Sequence, residues 1–334
     1  MLLNMGYYLY QLAFDGPIHF GDSSQGGGLE RTSWEYPADR LFSSLCCELA
    51  QQGYQDRLAE LVNLVKQGEF QLSDLFPYQL GEKEELELFL PVPYIYVISQ
   101  EQYKSLNMEE ARRFSAIRKK TKKMSFCRIS ELSECCRCIR QGEMFQPKWQ
   151  PKLGETVINE RVNCRGEQSL PYYVAGNVFA QGAGLYLLVK MPEEWEDFFS
   201  RLFQSLGMSG IGGKKSSGYG AFHLDDDSLN LAEAADFYQD TQILLEMLTG
   251  DSGKYMSISS LIPEEQDIES LQEGSYRLGK SSGFTDGIKR NSVYMVKSGA
   301  CLNKAAAGAL MKVGVSEGHD ILRYGKGMYV RLNL

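Results

Sequence analysis

Eleven residues, Gly210-Ile211-Gly212-Gly213-Lys214-Lys215-Ser216-Ser217-Gly218-Tyr219-Gly220, constrain this chain more than any other segment. Five glycines, two lysines and two serines lie there, between an amphipathic helix pattern and an apparent strand. Glycine permits positive φ and lets a ligand approach the backbone without a Cβ in the way. Successive exposed amides beside lysines and hydroxyls would form a concavity suited to phosphate or another anion. The plainer alternative is a glycine C-cap followed by a flexible turn. Two familiar phosphate loops are excluded. A Walker A loop needs glycine five residues before its Gly-Lys-Ser/Thr end, but Met208 stands there and Lys215 follows Gly213-Lys214. A dinucleotide fingerprint needs a small residue where Lys215 lies, and it leaves a strand, whereas this loop leaves a helix pattern.

The periodicity on either side predicts the fold class. Residues 7–14 read as a strand, and Asp39 as the N-cap of a helix with Leu41, Leu45 and Leu49 on one face. A second helix is predicted over 55–67 and a strand over 92–98. A strong strand follows at 183–190, then a helix at 193–206 with Trp195, Phe199 and Phe203 on its apolar face, and a strand at 219–224 after the loop. The order is βαββαβ, that of a ferredoxin-like or RNA-recognition-type α+β domain, interrupted by an insertion at about 100–180. The insertion has no long apolar stripe and reads as a projecting thumb or hairpin. Beyond 225 a helix at 240–249 and strands near 255–262, 275–284, 292–298 and 325–332 suggest a second ferredoxin-like unit. The expected domains are therefore 1–225 and 226–334.

Charge is segregated. The 334 residues carry a net charge of −8, which argues against a chain that coats nucleic acid over its whole surface. Yet residues 112–123 hold seven basic side chains and no acid, whereas 225–246 hold seven acids and no base. The basic run (Arg112, Arg113, Arg118, Lys119, Lys120, Lys122, Lys123) is interleaved with Phe114 and followed by Phe126. That combination suits phosphate neutralisation with base stacking, or else a solvated helix face. Lys148, Lys152, Arg161, Asn163 and Arg165 form a weaker polar cluster. Asp225-Asp226-Asp227 reads as an acidic interaction surface, because alternate side chains on a strand point to opposite faces.

His19 could supply acid–base chemistry near neutral pH, but the sequence offers it no identifiable partner. Core or partner-facing roles fit His223 and His319 better. Cys127, Cys135, Cys136 and Cys138 lack the paired knuckles of a structural zinc site, so reduced, partly buried thiols are the better reading. The first basic residue is Arg31, and the apolar run 88–98 is broken by Pro91 and Pro93 and too short for a bilayer. A cytoplasmic protein without a cofactor is expected.

The pattern Gly, apolar, Gly, five residues, Gly, any, Gly resembles the glycine-rich loop of the RAMP superfamily of CRISPR RNA-binding proteins. The flanks narrow the resemblance to the fourth subunit of the type III-A Csm effector. They are Phe14-Asp15-Gly16-Pro17-Ile18-His19-Phe20-Gly21, Leu29-Glu30, Asp39-Arg40-Leu41-Phe42, Arg161-Val162-Asn163, Tyr276-Arg277-Leu278 and His319-Asp320-Ile321-Leu322-Arg323-Tyr324-Gly325. One departure is Pro37-Ala38-Asp39-Arg40, where the family usually reads His-Ser-Asp-Thr. The resemblance implies a non-catalytic subunit that holds the 5′ handle of the CRISPR RNA. It also implies a bridge from the large polymerase-like subunit to the backbone RAMP subunit. RNA contact is then expected at His19, Gly21, Arg118, Lys119, Lys120, Lys122, Lys123, Lys148, Arg161, Asn163, Gly210, Gly212, Gly213, Lys214, Lys215, Ser216, Ser217 and Gly218. A RAMP endoribonuclease, the equivalent subunit of another type III subtype, and a protein-only scaffold are the alternatives.

Overall fold

The computed structural model describes residues 4–21, 28–81, 85–95, 104–148, 152–164, 169–225, 228–285, 288–316 and 318–333. Residues 96–98, Arg165, Asp226 and Asp227, all singled out in the sequence, lie outside them. The chain is a mixed α/β protein built on antiparallel sheets.

The main sheet forms around β1 (Met5–Phe14) and β8 (Ala183–Pro192), which pair antiparallel from Met5↔Pro192 to Leu12↔Leu185. β2 (Gln71–Leu72) and β3 (Phe76–Leu80) pair with β8, and β4 (Leu86–Pro91) and β5 (Phe126–Arg128) continue outward. β6 (Gly154–Asn163) and β7 (Leu170–Phe179) form a separate hairpin of ten pairs. On the other edge of β1 lie β9 (Phe222–Leu224) and β10 (Leu229–Asn230). Strand pairing therefore crosses position 225.

Both faces of this sheet are buried. Tyr8, Tyr10, Leu185 and Leu187 enter one core, with α1 (Ala38–Gln51), α2 (Gln55–Gln67) and the later helix Glu196–Ser209; Leu9, Tyr186 and Leu188 enter the other. Alternate side chains point to opposite faces, which explains why β8 is apolar at every position but Lys190.

α1 begins at Ala38, not at an Asp39 cap. Pro37 stands at its N-cap without a side-chain acceptor, and Asp74 Oδ1 accepts the Ala38 amide at 2.8 Å instead. Asp39 lies in the first turn. The strand expected over 92–98 ends early, at Pro91, and Val92–Ile95 are not strand. Proline lacks the N–H that a continuing ladder needs. After the glycine loop, strand geometry starts at Phe222, not 219.

The insertion is only partly a projection. α3 (Met108–Thr121) buries Ile117 alone, whereas α4 (Leu132–Gln141) packs Leu132, Cys135, Cys136 and Ile139 into the second core. That spacing is a helix face, with cysteine acting as a small apolar side chain. The expectation of no apolar stripe fails there. The hairpin β6–β7 does project, exposing Ile158, Val162 and Leu170.

α5 (Glu196–Ser209) leads into the glycine loop. The chain then runs through α6 (Leu231–Ala234) and α7 (Gln239–Thr249) to β11 (Lys254–Ser257), the centre of a sheet ordered β16-β11-β19. After α8 (Ile268–Gln272) come the pairs β12 (Leu278–Ser281) with β15 (Val293–Val296) and β13 (Phe284–Thr285) with β14 (Ile288–Lys289). β16 (Cys301–Leu302) precedes the hairpin β17 (Gly308–Ser316)–β18 (His319–Lys326), and β19 (Tyr329–Leu332) closes the chain. The expected single strand at 325–332 is split between β18 and β19. Met256 and Val330 join the second core and Tyr324 the first, so both halves of the chain share apolar interiors. No helix among the described residues is long and apolar enough to cross a membrane.

Candidate nucleic-acid interface

The glycine loop is braced from within. Ile211 N–H donates to Gly220 O at 2.9 Å, Gly220 N–H to Pro17 O at 3.0 Å, and Gly213 N–H to His19 O at 2.8 Å. Ser217 and Gly218 amides close a short 3-10 turn onto Lys214 and Lys215 carbonyls. Several amides of the expected exposed row are thus consumed, some within the loop and two by the Pro17 and His19 carbonyls. What faces solvent is Lys215, Ser216, Ser217 and Gly218, while Gly210, Ile211, Tyr219 and Gly220 are buried. Two glycines are sterically required. At Gly220 (φ 79) a Cβ would lie 1.9 Å from Ile211 O, and at Gly212 (φ 87) one would lie 2.8 Å from His19 O.

Lys214 is the one non-glycine residue with positive φ among the described residues, at 61°. Such strain persists only where surrounding structure enforces it, and it concentrates at functional sites. The twist carries the Lys214 ammonium to 5.2 Å from the Tyr172 ring centre on β7. Beside it, Asn159 Nδ2 donates to Tyr219 OH at 3.0 Å and Arg161 lies 5.9 Å from the Tyr219 ring. The hairpin root is pinned by Ile18↔Asn177 pairing and by Thr156 Oγ1 donating to Asn177 Oδ1 at 2.7 Å.

Of the residues expected to touch RNA, His19, Arg161 and Gly210 to Gly218 therefore converge. His19 is 5% exposed, with Nδ1 at 2.8 Å from Ala175 O and its ring edge against Gly213. It cements the loop to the hairpin. Gly21 follows two residues later and is fixed by Arg40, whose Nη1 donates to its carbonyl at 2.7 Å.

The remaining residues lie elsewhere. Arg118 and Lys122 of the basic run line a cleft that also includes Gly21, whereas Lys119, Lys120 and Lys123 do not. Asn163 sits at the exposed far end of β6. Lys148 is exposed beyond α4, its amide donating to Glu131 Oε1 at 3.0 Å. His223, on β9, is exposed and pairs with Asp15 at 2.7 Å. The hydrogen bond with the neighbouring Cys135 thiol, together with burial, raises the Cys127 thiol far above its ordinary range. Tyr172 and Tyr219 escaped sequence reasoning because neither lies in a basic run; Tyr219, inside the glycine motif, was the available signal.

Residues 250–332 match the family described as the CRISPR Csm4 C-terminal domain. The chain is 29% identical to the CRISPR system protein Csm4 of Streptococcus thermophilus, covering 99% of this chain and 100% of that one. It is 26% identical to Csm4 of Mycobacterium tuberculosis, covering 98% of each. A chain in the crystal structure of a Csm1-Csm4 cassette in complex with AMPPNP shares the fold, with TM-score 0.60, 15% identity and 99% of each chain covered. A chain of the Csm3-Csm4 subcomplex from a type III-A interference complex does so with TM-score 0.60, 15% identity and 98% of this chain and 100% of that one covered.

Proposed function

We propose that the chain is a Csm4-type subunit of a type III-A CRISPR effector, a non-catalytic RNA-binding subunit that holds the 5′ handle of the guide RNA. The observation that carries this reading is the convergence of the strained Lys214 and of Tyr219 from the glycine loop on Arg161 and Tyr172, which face each other across the projecting hairpin. Cations beside aromatic rings suit single-stranded RNA, whose unpaired bases stack while its phosphates are neutralised. The ammonium of Lys215 and the hydroxyls of Ser216 and Ser217 are the exposed edge of the same site.

The non-catalytic reading is supported by His19, which is enclosed and committed to Ala175 O. Relatives solved in Csm1-Csm4 and Csm3-Csm4 complexes support a position between a large subunit and a backbone subunit; a cytoplasmic location belongs to the same proposal. The strand order supports two ferredoxin-like units. β9-β1-β8-β3 follows the fourth-first-third-second arrangement of a βαββαβ domain, with α1 and α5 as its helices. β19-β11-β16, extended by the bridge Ser275↔Cys301, repeats that order in the second unit. There the β17–β18 hairpin stands where the second helix would be. The units divide near residue 225, with β10 completing the first sheet.

Repeat-derived RNA binding by the full chain, measured across a salt series, tests the reading. Lys214→Ala with Lys215→Ala should flatten the salt slope by roughly one unit, since each phosphate neutralised on a single strand contributes about 0.7. Unchanged affinity and slope would remove the loop from the RNA path. Cleavage of the RNA at a defined position, lost on changing His19, would replace the reading with an endoribonuclease.

A further inference from the structure

Tyr219, near the end of the glycine loop, is 2% exposed although the four residues before it face solvent. Its ring is seated in the hairpin. The pairs Val157↔Gly176, Asn159↔Val174 and Arg161↔Tyr172 place these six residues on one face of β6–β7. Gly176 leaves a hole in that face: a Cβ there would lie 2.8 Å from Tyr219 Cε1 and 2.9 Å from Pro17 Cβ. The φ of Gly176 is not positive, so its missing side chain serves space and not backbone conformation. Asn159 and Arg161 flank the ring on β6, Asn159 Nδ2 donating to the Tyr219 hydroxyl at 3.0 Å. The same residue governs the loop. Tyr219 N–H donates to Lys214 O at 3.4 Å and Ser217 N–H to that oxygen at 2.9 Å, so Lys214 and Tyr219 are the two ends of one closed turn.

We propose that Tyr219 is a positioning residue for RNA: by filling the hole at Gly176 it holds Lys214, in its left-handed conformation, against Tyr172 on the same hairpin face. The proposal rests on the RNA-binding reading above and adds to it a residue that touches no nucleotide. The Tyr219 ring is enclosed and offers no face to a base, which leaves the half-buried Tyr172 as the ring open to one. Packing alone does not account for the arrangement. Among the described residues Tyr219 joins none of the apolar cores; its ring meets Gly176 and Pro17 and lies beside Asn159 and Arg161. Loss of the ring should therefore leave the cores intact and free the turn. Once freed, Lys214 relaxes from φ 61 toward the negative φ that any residue with a Cβ prefers, and its ammonium leaves the hairpin.

The salt dependence of binding separates positioning from packing. Tyr219→Leu changes no charge, yet it should flatten the salt slope of repeat-derived RNA binding to the full chain by about 0.7, the share of one phosphate on a single strand, as Lys214→Ala does. Lys214→Ala in the Tyr219→Leu background should flatten the slope no further, because the contact is already lost; independent effects would add. Tyr219→Phe keeps the ring in the hole and should retain the wild-type slope. Gly176→Ala repeats the test from the hairpin, where its Cβ displaces the ring, and it decides the matter should Tyr219→Leu fail to fold. Urea midpoints of each variant, expected to stay close to wild type, distinguish a misplaced lysine from a damaged fold. Additive effects, or wild-type slopes in Tyr219→Leu and Gly176→Ala beside a flattened one in Lys214→Ala, would overturn the positioning role while sparing the RNA-binding reading. An unaltered slope in Lys214→Ala, or wild-type protein that binds no RNA, would overturn both.

Discussion

Asp39 and Arg323 tie α1 to β18 through an ion pair in which each residue is 3% exposed. Arg323 Nη1 donates to Asp39 Oδ2 at 2.8 Å, and Ser281 Oγ donates to the same oxygen at 2.7 Å. Three other atoms, Asp39 Oδ1 and Arg323 Nε and Nη2, are buried without a partner. Burial lowers the Arg323 pKa, and Asp39 opposes that shift. Removing one partner leaves the other charge buried. Asp39→Asn should therefore cost about 3–5 kcal/mol of unfolding free energy, of which the favourable carboxylate at the helix N-terminus accounts for about 0.3–1. The incomplete satisfaction of the pair makes a second prediction sharper. Asp39→Leu combined with Arg323→Met should be neutral or more stable than the wild type by about 1–4 kcal/mol, because it removes every unpartnered atom together. Urea unfolding followed by the fluorescence of buried Trp195 measures all three proteins. A loss below about 1 kcal/mol in Asp39→Asn, or a double variant as unstable as the single ones, would refute the argument.

Asp74 is pushed up to about 6, chiefly by burial, against the hydrogen bonds from Ala38 and Ser260 that lower it. A raised folded-state pKa means that stability is fully present below the unfolded value near 4 and declines as pH rises through about 6. Asp74→Asn should flatten that decline, and pH-dependent urea midpoints report it; an unaltered profile would count against the assignment. Gly220→Ala should destabilise well beyond the roughly 1–2 kcal/mol of a left-handed alanine, since its Cβ meets Ile211 O, whereas Gly218→Asn, with φ 82 and open space around it, should be nearly neutral. Equal thermal shifts in these two variants would show that the loop yields where it is packed.

Much of the architecture was legible because it repeats locally. The faces of α1, α2 and α5 follow helical spacing, and β1 and β8 are dense in apolar residues, so their positions emerged within a few residues. The failures share a different cause. Asp39 was taken for a cap because its competitor, Asp74, is 35 residues away in sequence. α4 went unrecognised because Cys135 and Cys136 were weighed as thiols and metal ligands, when in the fold they serve as core volume. The glycine loop was identified correctly, but its amides were expected to face outward, and their partners Pro17 and His19 lie nearly 200 residues upstream.

The pairing of β1 with β8 also fixes a timetable. Tyr10 faces Leu187, and the other edge of β1 is covered only by residues 222–230. At about 5–20 residues per second, β1 is synthesised roughly 10–35 s before its neighbour β8. During that interval both of its edges carry unpaired amides and carbonyls, open to any passing strand. The earliest strand of this sheet is thus among the last of it to be enclosed, and nascent chains stalled before residue 183 carry β1 without these partners.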